Sequence, residues 1–178
     1  MTIDPTKRGK TDQALILTAI VDRLIAEIED YNDQNCWESD DPVPDSAPGG
    51  YEFCTVSFGG GNFPREFFDG GGSETLTESG SVIIAPTVAL TGDRLRRRRR
   101  RLTADADGRN LMNRKRLILK AMFGSQWEPA DNDQPLLRDL PSPLNCSPAS
   151  EVQIGEARML QMRLTIATTF DWDLTGGA

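Results

Sequence analysis

Arg94 and the unbroken run Arg96, Arg97, Arg98, Arg99, Arg100 and Arg101 are the densest chemistry in this sequence. A guanidinium offers a planar fork of donors that grips a carboxylate or a phosphate through two parallel hydrogen bonds, and it stays charged at any working pH. The run cannot be a buried strand, because alternation would drive guanidiniums into the core; as a helix it would be charged all round. It therefore projects as a solvated loop, an extended arm or the lip of a strand. Both an acidic protein surface and a phosphate backbone suit it. No aromatic residue is interleaved with the arginines, so base stacking is not suggested, and no recognition-helix or RNA-binding signature accompanies them.

Other reactive groups are sparse. The chain has no histidine, which removes the commonest general base and the commonest metal ligand. Asp105 and Asp107 in "DADG" lack the remaining spacing of a calcium loop, and a turn with a helix cap explains them better. Asp171 and Asp173 flank Trp172 at alternate strand positions, but no nucleophile motif or pocket signal goes with them. Cys36, Cys54 and Cys146 are far apart and form no C-x-x-C, which predicts reduced, partly buried thiols. In "GGGNFPREFFDGGGS", residues 59–73, two glycine triplets bracket Phe63, Phe67 and Phe68. No Lys-Ser/Thr follows and no helix opens after it, so it does not read as a phosphate cradle. Its phenylalanines are expected to dock on the chain's own core or on a neighbouring subunit. These readings predict no catalytic residue, no cofactor and no metal: the chain is not expected to be an enzyme.

Charge is segregated. The net charge is −7, yet residues 93–120 hold 12 cations against 3 anions, leaving 8 cations and 24 anions elsewhere. A bipolar surface of this kind complements a copy of itself, or presents one sign to a partner.

The elements that position these groups follow from periodicity. The 178 residues, 38% hydrophobic and 26% charged, suit one domain over 1–178, with a flexible N-terminus at 1–10 and loop or arm insertions at 59–78 and 92–108. No apolar run approaches the roughly 20 residues that span a bilayer, and the start lacks the apolar stretch of a signal peptide; no membrane partner is expected, and synthesis in the cytoplasm is. Residues 11–31 repeat apolar side chains at spacings of three and four, predicting a helix capped by Thr11 or Asp12. Residues 32–50 read as an acidic loop. Strands are predicted at 51–58, apolar on both faces and so central in a sheet, and at 79–90, where Pro86 implies an edge, bulge or bend. A second helix is expected over 107–124, with Asp107 as N-cap and Gly124 after its end. Leu111, Leu117, Ile118, Ala121 and Met122 mark its inner stripe with Arg114 at the margin, while Arg109, Arg116 and Lys120 face water or a partner. Residues 125–150 read as loop. Val152 and Ile154 start a strand that turns at Gly155-Glu156 into a long one, apolar at Leu160, Met162, Leu164, Ile166, Phe170 and Trp172. The expected fold is α+β: a single mixed or antiparallel β-sheet packed against two α-helices, with long loops.

This arrangement resembles the tail terminator (tail completion, or tail-to-head joining) proteins of long-tailed bacteriophages. The resemblance rests on the amphipathic helix "LILTAIVDRLIAEIEDY", the strands "YEFCTVSF" and "SVIIAPTVAL", the cationic helix "NRKRLILKAMF", the proline-rich loop after it and the closing strand "RLTIATTFDWDL". It is one of pattern and covers most of the chain. It implies a small subunit that forms a ring, typically a hexamer. The ring caps the tail tube, receives the head-completion or neck protein, meets the sheath in contractile tails and passes DNA through its lumen. It also implies a virion location after synthesis in the host cytoplasm. The glycine-bracketed segment and the arginine run depart from the pattern as elaborations. On this reading Arg94 and Arg96 to Arg101 are partner, subunit or lumen contacts. Two other readings fit the same residues: another neck or baseplate subunit, and a small nucleic-acid-binding protein that uses the run without reading sequence.

Overall fold

The computed structural model describes residues 12–46, 52–62, 75–90, 102, 110–123 and 144–173. Within them one mixed seven-stranded open sheet carries two α-helices, as expected for the α+β class. Helix α1, Asp12–Glu27, lays Ile16, Ile20, Val21 and Leu24 on the sheet. The apolar period runs on through Ile28 and Tyr31, both buried, but the helix does not. Two asparagines close the turns that follow it. Asn32 N–H donates to Asn35 Oδ1 at 2.8 Å, Gln34 N–H to Asn32 Oδ1 at 2.9 Å, and Asn35 Nδ2 to the Asp30 carbonyl at 2.8 Å. Such side chains offer the backbone an alternative to the helical ladder.

Strand β1, Cys36–Glu38, lies within the segment expected to be loop and pairs parallel with β2, Glu52–Asn62, with Cys36 opposite Cys54. Strand β2 lies between β1 and β3, Thr75–Ala89, and so is central as its two apolar faces predict. Both β2 and β3 run past their expected limits. Gly59–Asn62, expected as insertion, extend the hairpin, with an irregularity between Phe58 and Gly61 where Gly60 takes φ 83°, while Thr75–Glu78, also expected as insertion, pair with the closing strand. A positive φ favours glycine, so a triplet that reads as linker serves as a bulge.

Helix α2, Leu111–Phe123, follows, and then β4, Leu144–Cys146, β5, Ser150–Ile154, β6, Ala157–Gln161, and β7, Leu164–Asp173. The three-residue β4 lies within the segment expected to be loop. Strands β5 and β6 form the expected hairpin at Gly155, φ 57°. The expected long closing strand is broken at Met162 and Arg163. Strand β3 pairs with β7 through Thr75–Ile84 and with β6 through Thr87–Ala89. Pro86 stands at the change of partner, its carbonyl accepting from Met162 N–H at 3.2 Å. The proline thus marks a bend inside the sheet and not an edge.

Alternation gives the sheet two faces. Cys36, Cys54, Val56, Val82, Ile84, Leu164 and Ile166 face the helices. Trp37, Phe53, Ala89, Ile154 and Met159 form a cluster on the back, with the Trp37 and Phe53 rings 5.3 Å apart. A strap, residues 39–46, covers that cluster. Val43 packs into it, and the Pro42 carbonyl accepts from Thr55 Oγ1 at 2.9 Å and Gln161 Nε2 at 2.8 Å. Gln161, which alternates with the apolar positions Leu160 and Met162, is therefore buried and satisfied.

Candidate assembly interface

Helix α2 carries the part of the cationic segment that the structure describes. Asn110 caps it: Oδ1 accepts from Asn113 N–H at 2.9 Å and the carbonyl accepts from Arg114 N–H at 2.9 Å. The cap thus lies three residues beyond the one expected from the sequence, Asp107, which is outside the described residues, as are Arg109 and Gly124. The buried stripe is Leu111, Arg114, Ile118, Ala121 and Met122.

Arg114 corrects the sequence reading. It is not marginal but 1% exposed, among the largest fully buried side chains. Nε and Nη2 donate to Glu52 Oε2 and Oε1 at 3.0 and 2.7 Å, and Nη2 also to Asp30 Oδ2 at 2.6 Å. The guanidinium carbon lies 5.5 Å from the Tyr31 ring centroid. Burial works to lower its pKa, but the hydrogen bonds to Asp30 and Glu52 outweigh burial and raise it. A desolvated cation needs this degree of pairing. The group thus ties α2 to the end of α1 and the start of β2. Arg23 adds a second tie: it donates Nε to the Ala121 carbonyl at 2.7 Å, meeting the C-terminal end of α2 where carbonyls lack helical donors. The two contacts set the helices antiparallel.

Beside Arg114, the Tyr31 hydroxyl and the Cys54 thiol are pushed up in pKa, both chiefly by burial. Cys36, Cys54 and Cys146 are free thiols. Among the described residues no group of three or more metal-ligating side chains is gathered, and no helix is long and apolar enough to cross a membrane.

The outer face of α2 carries Arg116 and Lys120, as expected, and also Met112 and Phe123, 45% and 40% exposed. Positions 112, 116, 120 and 123 fall on one helical stripe. Sequence reasoning passed over this pair of apolar residues, although their spacing from Arg116 and Lys120 signals it. Arg94, Arg96, Arg97, Arg98, Arg99, Arg100 and Arg101 lie outside the described residues, and so do Phe63, Phe67 and Phe68. Leu102, immediately after the run, packs partly buried against the cluster of Val88, Leu111, Leu160 and Met162. Leu102 thus lies against Leu111, the first residue of α2. Asp171 and Asp173 lie in β7, in register with Thr77 and Thr75 of β3.

Compared with models of protein families and with curated proteins, the sequence matches none.

Proposed function

We propose that this protein is a structural virion subunit of a tailed bacteriophage, of the tail terminator type. Copies form a ring, a hexamer, that ends the tail tube and joins the tail to the head through the neck. Its partners are further copies of itself, the tube protein, the head-completion protein and, in a contractile tail, the sheath. It is not an enzyme and works without a cofactor.

The observation that supports this reading most is the order of elements. An amphipathic helix, a long hairpin, a cationic helix set antiparallel to the first and a closing strand all build on one sheet. Segregated charge supports it further, since heterologous ring contacts join two different patches of one surface. On this reading the arginine run is an assembly contact first and a contact to DNA in the lumen second.

The test is the solution mass of the purified chain by light scattering, at low and high salt, alone and with the cognate tube protein. A ring-sized species, or a monomer that becomes a ring on adding tube protein, is the expected result. Serine at Arg96 to Arg101 should then impair ring formation or tail joining. A stable monomer that ignores tube protein and shifts DNA in a salt-dependent way would overturn the reading in favour of a nucleic-acid-binding protein, for which the run is the favouring observation.

A further inference from the structure

Two exposed surfaces of this chain lie on opposite sides of the sheet and match each other. On the helix side, α2 shows Met112, Arg116, Lys120 and Phe123 along one stripe, with Lys115 half-exposed beside it. No acidic residue occurs in Leu111–Phe123. The stripe is about 16 Å long, at 1.5 Å per residue. On the back of the sheet, the strap "SDDPVPDS", residues 39–46, exposes Asp40, Asp41 and Asp45 around half-exposed Pro42, Val43 and Pro44, and it contains no basic residue. Its span from Asp40 to Asp45 is at most about 17 Å. Each surface thus mixes apolar side chains with one sign of charge, and the two signs are opposite.

Both surfaces are held firmly. The strap is fixed by the two hydrogen bonds to the Pro42 carbonyl, by Val43 in the back-face cluster and by Asp41 Oδ1, which accepts from Val43 N–H at 2.8 Å. The helix is fixed by Arg114 and Arg23. Preorganised surfaces lose less entropy on contact. Arg163 Nε donates to Gln161 Oε1 at 3.2 Å, and Gln161 Nε2 in turn to the Pro42 carbonyl.

We infer that copies of this chain associate head to tail, with the Met112–Phe123 stripe of one copy seated on the acidic strap of the next. The two patches cannot meet within one chain, because the sheet stands between them. Arg116 and Lys120 of one copy meet the aspartates of its neighbour's strap, and Phe123 is covered in the same contact. A contact between two different patches leaves one of each free at the ends, so it propagates until it closes into a ring. The inference rests on the ring reading for that closure, and on the matched surfaces for the contact itself.

Two variants test it. One loses the helix surface: Arg116→Gln, Lys120→Gln and Phe123→Ser. The other loses the strap surface: Asp40→Lys and Asp45→Lys. All these side chains are exposed, and an unchanged thermal melt checks that each variant folds. Each variant alone is expected to remain monomeric by light scattering under conditions where the wild-type chain assembles. An equimolar mixture is expected to give a 1:1 pair and nothing larger, because the intact strap of the first variant receives the intact helix of the second. Assembly of either variant like the wild type, or a mixture that stays monomeric, overturns the contact and leaves the ring reading standing. A wild-type chain that is monomeric with and without tube protein overturns the ring reading, and this inference with it.

Discussion

The guanidinium of Arg114 and the carboxylate of Glu52 meet in a two-point contact, 3.0 and 2.7 Å, across 62 residues of chain. The pair is buried unequally: the arginine side chain is 2% exposed and the glutamate 11%. Asp30, at 39%, is the solvated third member. The arrangement is a weak source of net stability but a strong constraint on geometry, since each charge would be costly without the others.

Removing one member should therefore be far worse than removing the set. Arg114→Met leaves Glu52 without its cation and is expected to cost about 3–5 kcal/mol, read as a lower urea midpoint at unchanged slope. Adding Glu52→Leu to that variant should recover most of the loss. An Arg114→Met protein within about 1 kcal/mol of wild type would show that the pair does not constrain the fold.

Alkali should loosen the same region. Tyr31 and Cys54 both have raised pKa values in the fold, chiefly through burial. Their unfolded counterparts lose protons near about 10 and 8.5. Above those values the unfolded state binds fewer protons than the native one, so stability falls as pH rises. It is complete below the unfolded pKa and lost on the way up to the folded one. The slope is about 1.4 kcal/mol per pH unit for each group. Urea midpoints from pH 7 upward are expected to decline from about pH 8.5, and Cys54→Ala should delay the decline towards the tyrosine's range. A profile flat through about pH 10 would contradict the burial of Cys54, and one that stays flat above it would contradict that of Tyr31 as well.

Why Arg114 escaped a reading of the sequence is physical. Its position at the edge of an apolar stripe was legible, because Leu111, Ile118, Ala121 and Met122 define the face. Its burial was not, because its partners lie 84 and 62 residues away and no local pattern pairs them. The alternation from Leu160 to Ile166 was legible for the opposite reason: it is a local period that survives even the break at Met162 and Arg163. Strands β1 and β4 have three residues each, too few for a period to be seen. The strap reads as a polar loop because its acids are exposed; only Val43 and the Pro42 carbonyl show that it is seated. The outer stripe of α2 was half legible, through Arg116 and Lys120, while Met112 and Phe123 were hidden by the expectation that apolar residues go inside.

The start of α2 offers a smaller test. Asn110→Ala removes the acceptor for Asn113 N–H and should cost about 1 kcal/mol, while Asn110→Ser retains most of it. Helix content by circular dichroism and the thermal midpoint should fall together. An alanine variant as stable as wild type would mean that the helix is held by Arg114 and its apolar stripe alone.

The hairpin of β2 and β3 separates two reasons for glycine. A Cβ on Gly59 would lie 2.3 Å from Ser81 Oγ and 3.2 Å from two carbons of Ile83, whereas one on Gly60 would meet nothing within 4 Å. Gly60 is instead required by its φ of 83°. Gly60→Ala should therefore cost about 1–2 kcal/mol through the backbone alone, whatever stands at position 81. Gly59→Ala should cost about 1–3 kcal/mol by overpacking, and Ser81→Ala in the same chain should return most of it by removing the oxygen that is struck. A double-mutant cycle on thermal or urea unfolding reads the difference. Strong coupling is expected between positions 59 and 81, and none between 60 and 81. If both glycines couple to Ser81, or neither does, the close approach of β2 and β3 at this point is not what selects glycine there.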